Sequence, residues 1–275
     1  MRRQFGFLVA TILALPAAGA FGNIMAATIP GSVELPIGLP EFDGALTLLL
    51  RPVAEESRSS GIPAPLAIPY LTGLIRGHLL AALALVEVNH YETAVLHSSH
   101  PIDEHFAELA KLLPAGAGSE LRADLATLNE LMALRASRGE ILTAYRAADL
   151  QLRAIDDRAF GPSGMPDRQI LALVVALLTK AADEYENAWS GLELRNAIEY
   201  QDGYGFFTYA KAKLLEILPR LRLASVGSAD EVATAAERIA MAWPAVTPPD
   251  KPAMATSTLR ALVAVIEINA RRLGV

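Results

Sequence analysis

The stretch from Gly77 to Glu108, "GHLLAALALVEVNHYETAVLHSSHPIDEHFAE", decides how this chain folds. All five histidines of the 275-residue sequence, His78, His90, His97, His100 and His105, fall inside it. Two geometries compete. As one straight helix from 68 to 99, the segment would hold His78 and His100 about 33 Å apart at 1.5 Å per residue, too far to share a ligand. A reversal at Asn89 changes this, because His78 lies eleven residues before it and His100 eleven after. Antiparallel helices then return the two to one level, with His97 one turn nearer the loop.

The reversal has support in "VEVNHYETAV" (86–95). It resembles the inter-helix turn of a tetratricopeptide-type hairpin, in which a turn-prone residue precedes Tyr and Ala of the second helix, here Asn89, Tyr91 and Ala94. The aromatic residue that opens that motif is missing and no 34-residue repeat follows, so the resemblance bears on the turn and not on function. The second helix is expected to end in "HSSHP", since Pro101 disfavours helical geometry in the residue before it and suits the first position of a new helix.

That new segment, "PIDEHFAEL", places Asp103 and Glu104 in its first turn, where acids also suit the helix dipole. The set His78, His97, His100 and Glu104 mixes imidazole and carboxylate donors, which suits a transition metal ion such as zinc, copper(II) or iron. Asp103 is a secondary candidate. His90 and His105 are expected to be exposed, His105 because it is five residues from His100 and faces elsewhere on an α-helix. A structural reading stands beside this one: His78 as a core histidine bonded to a carbonyl or carboxylate, with His97, His100 and Asp103 stitching helix ends.

Around this stretch the pattern is helical throughout. Leu71, Leu74, Ile75, Ala82 and Leu85 share one face between Ile68 and Val88, with His78 in its middle. Further helices are predicted at about 101–113, 119–137, 139–158, 167–189, 197–218, 229–243 and 256–273, from apolar residues at i, i+3, i+4 and i+7. Ser228 with Glu231 and Asn196 with Glu199 have capping-box spacing. Breaks fall at "PAGAGS" (114–119), "GPSGMPD" (161–167), "SGLEL" (190–194) and "PAVTPPDKP" (244–252), and no strand with sustained alternation survives. The predicted fold is all-α, an antiparallel up-and-down bundle of about eight helices with short loops. It spans 42–275, with a sub-lobe boundary considered at 161–167.

Other acids fall on apolar faces. Glu184 in "ADEYENAW" shares a face with Leu177, Ala181 and Ala188, and Glu199 and Asp202 in "NAIEYQDGYGFF" stand above Phe206 and Ala210. These three carboxylates are candidates to complete a site in the bundle interior, with capping of a helix start the competing role for Glu199 and a backbone amide the competing partner for Asp202. Tyr200, Tyr204, Phe206, Phe207 and Tyr209 form the densest aromatic group, read as core or as the lining of a ligand pocket.

The chain begins with Arg2 and Arg3 followed by the apolar run "FGFLVATILALPAAGA", which reads as a signal peptide over 1–20 with cleavage after Ala20. An extended arm rich in Pro and Gly covers 21–41. Removing residues 1–20 takes two arginines and no acid, so the formal charge goes from −6 to −8. An acidic chain without basic runs argues against nucleic acid and anionic membranes as partners. No second long apolar run appears, so no stable membrane insertion is expected after signal removal. With no cysteine, there is neither a disulfide framework nor a thiol nucleophile. Nucleotide-loop and nucleophile-elbow motifs are also missing.

An exported, cysteine-free helical chain with Gly77-His78 on an early helix resembles the imelysin-like proteins, helical-bundle domains associated with periplasmic iron uptake. Their signature is G-x-H-x-x-E; here the glycine is adjacent to the histidine and Ala81 stands where the glutamate would be. The resemblance therefore implies only His78 as an iron ligand. Three functional readings follow. The first is a soluble periplasmic or secreted protein that captures, delivers or senses a transition metal or a metal-bearing ligand such as haem, working with a periplasmic partner protein. The second is a helical interaction or small-molecule-binding scaffold with structural histidines. The third, an enzyme, needs an open coordination position and a base, and the sequence identifies neither.

Overall fold

The computed structural model describes residues 62–274. The expected signal peptide, the arm and the first part of the helical region lie outside the described residues. A short 3-10 turn (Ala64–Leu66) leads into α1 (Ala67–Glu87), α2 (Tyr91–His100), a π-helical turn (Pro101–Phe106) and α3 (Ala107–Leu112). There follow α4 (Ser119–Ala133), α5 (Arg138–Phe160), α6 (Asp167–Ala188), α7 (Ala197–Ala224), α8 (Val226–Ile239) and α9 (Thr256–Arg272).

The helices pack as two four-membered rings. In one, α1 touches α2, α2 touches α4, α4 touches α5 and α5 returns to α1. In the other, α6, α7, α8 and α9 close in the same way. Each ring buries its own apolar core, with Leu79, Leu85, Leu125, Ile141 and Leu152 in the first and Leu177, Tyr185, Leu214, Val232 and Ile266 in the second. The rings are joined where α1 lies against α7. The all-α bundle matches the 3.6-residue periodicity of the sequence.

The chain reverses at Asn89, which takes a left-handed conformation (φ 62°). His90 N–H donates to the Leu85 carbonyl (2.9 Å) and Asn89 N–H to that of Val86 (3.0 Å), the paired bonds of a Schellman closure. Asparagine suits this position because its side chain tolerates the left-handed region better than other non-glycine residues. The same closure ends α4, with Arg135 (φ 50°) in the left-handed position. That helix therefore stops at Ala133 rather than at 137. Nothing in the residue type signals this end, since arginine has no preference for positive φ.

Other boundaries also differ from the sequence reading. Helix α7 runs past Pro219 to Ala224 instead of ending at 218. The proline lies on the exposed side while Ile217, Leu218 and Leu221 are buried, so core packing carries the helix across one missing hydrogen bond. Helix α8 begins at Val226 with Ser225 as its cap, which displaces the expected role of Ser228. Asn196 does cap α7, accepting from Ile198 N–H at 3.0 Å. The break near 190 holds a minimal hairpin, Trp189–Ser190 paired with Glu193–Leu194, that turns α6 into α7.

Two glycines set the distance between the rings. A Cβ built on Gly205 would lie 2.1 Å from the Gly77 carbonyl oxygen, so α1 and α7 meet backbone to backbone. Each helix-interior glycine costs about 1 kcal/mol relative to alanine, a cost that close packing at the crossing offsets. Next to that crossing, the residue before Gly77, Arg76, is buried between α1 and α5, bonding Asp149 through Nε (3.0 Å) and Asp156 through Nη1 (2.8 Å). Helix α1 is thus held against α7 by backbone contact and against α5 by a forked ion pair.

Candidate metal centre

The seam between the rings gathers four of the five histidines. Gly77 lets α1 approach α7, and the next residue, His78, is carried into the contact with 1% of its surface exposed. From α7, Gln201 and Asp202 face it, both buried. The Asn89 reversal brings α2 alongside α1, and with it His97, fully buried, and His100, partly exposed. The ring centroids of His78 and His100 are 5.0 Å apart, and those of His97 and His100 5.4 Å.

Asp202 is the hub. Its Oδ1 accepts from His78 Nδ1 at 2.6 Å and from His97 Nδ1 at 2.8 Å, while Oδ2 is 3.5 Å from His100 Nδ1. Burial by itself would push this carboxyl up, but the three imidazoles outweigh it and hold Asp202 well below the usual carboxylate range. His97 Nε2 faces Gln201 Oε1 at 2.7 Å, so both nitrogens of that ring are engaged. His100 Nδ1 is buried and has no hydrogen-bond partner among the described residues. The Asp202 carboxylate is too distant to satisfy it but close enough to raise its pKa above the ordinary histidine value. His78, His97, His100 and Asp202 offer ligand atoms all within 4.8 Å of one another. Donors about 2.0–2.2 Å from a common ion lie at most about 4.4 Å apart, so the four stand close to that spacing.

The π-helical turn carries Glu104 and His105 to the other side of His78. His105 Nε2 is 2.9 Å from His78 Nε2, and Glu104 Oε2 is 3.8 Å from both. The expectation that His105 faces elsewhere is corrected here. On an α-helix, residues five apart diverge by about 140°, whereas the wider i→i+5 winding brings them towards one face. Burial, reinforced by the neighbouring His78, pushes His105 down to about 3, so the ring is neutral. Glu104 remains half exposed at the mouth of the cluster. Asp103 is exposed and reaches His100 only through its charge, and His90 is exposed as the sequence suggests.

Glu184 and Glu199 come together with each other rather than with the imidazoles. Lys180 ion-pairs with Glu184. A hydrogen bond to Glu184, then burial, then the charges of Glu184 and Asp202, push Glu199 up to about 8. The folded protein therefore holds this proton above the value of 4.5 that applies unfolded. The stability it contributes is complete below pH 4.5 and is lost as pH rises through about 8. Glu199→Gln keeps a permanent donor to Glu184, so its stability relative to the parent should improve between pH 5 and pH 8. Urea midpoints of both proteins at the two pH values measure this, and an unchanged difference would show that no proton is shared.

The sequence reading missed two members of the cluster, Gln201, which carries no motif, and His105, hidden by the assumption of α-helical winding; it also passed over Lys180, four residues before Glu184 on the same helix. A cavity of about 760 Å³ lined by Arg76, Tyr145, Asp149, Asp156 and Tyr209 lies on another face of α1, and no histidine borders it.

Residues 167–273 match the family model of the iron permease-associated 4-helix bundle domain. The match covers α6 to α9, which is the second ring, and links the chain to iron uptake. No curated protein and no solved structure matches the chain. Asp202, Glu184 and Glu199 lie within the matched region, whereas all five histidines precede it.

Proposed function

We propose that this chain is an exported iron-binding protein that captures or delivers iron for uptake, holding the ion through His78, His97, His100 and Asp202 with Glu104 at the entrance. The observation that carries the reading is the convergence of three imidazoles on one buried carboxylate, with His100 Nδ1 left without a hydrogen bond. Nitrogen and oxygen donors without thiolate accept iron, zinc or copper(II), and the family match favours iron among them. The resemblance of Gly77-His78 to imelysin-like proteins supports His78 as an iron ligand. The apolar leader supports a periplasmic or secreted location, and the matched domain's description supports a membrane iron permease as partner.

Ferrous ion titrated calorimetrically under argon into untagged protein tests the reading. Binding is expected near pH 7.5, with affinity falling towards pH 5 as protons compete for the imidazoles. Because Asp202 raises the His100 pKa, the fall should begin above pH 6.5. A second reading, in which the histidines only lock the two rings together, draws on His97, whose nitrogens both face oxygens. Absence of ferrous, zinc and cupric binding at pH 7.5 would leave that second reading.

A further inference from the structure

The two nitrogens of His78 address two different groups of donors. Nδ1 points to Asp202, in reach of His97 and His100. Nε2 points to His105 and Glu104, a second potential ligand group. The Nε2 triangle has edges of 2.9, 3.8 and 3.8 Å. The point equidistant from its three corners is about 2.1 Å from each, which is the bond length of a divalent transition metal to imidazole or carboxylate.

Hydrogen bonding alone accounts for this triangle poorly. A neutral His78 that donates from Nδ1 to Asp202 keeps its lone pair on Nε2, so His105 must supply the proton between the rings. Glu104 then stands 3.8 Å from both nitrogens, too far to bond either. His105 is held in place with its side chain only 12% exposed, by a π-helical turn of a kind found often at functional sites.

From this geometry we propose that the seam holds two metal ions bridged by His78, an inner one on His78 Nδ1, His97, His100 and Asp202 and an outer one on His78 Nε2, His105 and Glu104. The inference rests on the reading of the inner group as an ion site. A bridging imidazole carries no N–H, so filling both positions releases the remaining His78 proton to solvent and leaves an imidazolate between the ions. The ions would stand about 6 Å apart, from metal–nitrogen bonds of about 2 Å on either side of the ring. Half-exposed Glu104 makes the outer position the point of exchange with solvent, and the inner position the more enclosed one.

Cupric ion is the probe, because two copper(II) ions joined by imidazolate couple their spins. Untagged full-length protein titrated with copper(II) should give an electron paramagnetic resonance signal that grows to one equivalent. The second equivalent should reduce it at least fivefold, with elemental analysis showing two coppers per chain. His105→Ala and the bulkier His105→Gln should each bind one copper and keep the full signal, whereas His90→Ala should behave as the parent. Saturation of the parent at one copper, or two coppers with two uncoupled spins, would overturn the bridge and leave the inner site standing. Failure to bind any copper would overturn the bridge, and the inner site would then stand or fall with the ferrous titration. Circular dichroism melting of the His105 variants separates loss of the ion from loss of the fold.

Discussion

Gly205→Ala should destabilise the protein by about 3 kcal/mol or more, at the upper end of what overpacking costs. The added Cβ would lie 2.1 Å from the Gly77 carbonyl oxygen, and neither atom can rotate away because both are fixed to helical backbone. Relief requires α1 and α7 to separate, which breaks the join between the two rings. The helix-propensity gain of about 1 kcal/mol is too small to compensate. Gly77→Ala should cost less, since its Cβ meets the side chain of Phe206, 2.3 Å from Cδ1, and a ring can turn. Gly227→Ala has no atom within 4 Å of its new Cβ and should be neutral or slightly stabilising. Denaturant midpoints for the three variants give this order directly. A Gly205→Ala protein as stable as the parent would mean that the two helices do not cross in backbone contact, and metal affinity should fall with the same variant because Asp202 retreats from His78.

This crossing also explains what could be read from the sequence and what could not. The hairpin was legible because Asn89 is a turn-prone residue midway between His78 and His100. The helical spacing of His97 and His100 placed both rings on that hairpin's inner side. The position of Asp202 was not legible, because it depends on two glycines 128 residues apart meeting face to face. Local patterns on α7 gave Asp202 no more weight than Glu199. Glu184 and Glu199 were recognised as carboxylates on apolar faces; Lys180 pairs with Glu184 at i,i+4 within α6, but the meeting of Glu184 with Glu199 depends on the packing of α6 against α7. His105 was set aside by a correct argument from α-helical winding applied to a turn that winds differently. Helix ends were lost for a related reason. Arg135 and Pro219 act against their residue preferences, with tertiary packing deciding both cases.

Asp202→Ala should have the largest effect on the seam itself. Removing the carboxylate leaves the Nδ1 donors of His78 and His97 buried without an acceptor, and breaking a buried charged pair by deleting one member costs about 3–5 kcal/mol. Asp202→Asn separates the charge from the hydrogen bonds, because its amide oxygen can still accept from both rings. Its apo stability should lie between those of the parent and the alanine variant. Its metal affinity should drop by about 10- to 100-fold if the carboxylate only orients the imidazoles, and further if it touches the ion. The pH dependence distinguishes the variants again. Asp202 has a depressed pKa in the folded protein, so its stabilising contribution is present above the ordinary carboxylate value of 3.8 and is lost only as pH falls well below it. The parent should therefore keep its advantage over Asp202→Asn from pH 7 down to pH 4. If instead the advantage vanishes by pH 5, Asp202 takes up its proton above the ordinary carboxylate value of 3.8 and cannot be the centre around which three imidazoles are arranged.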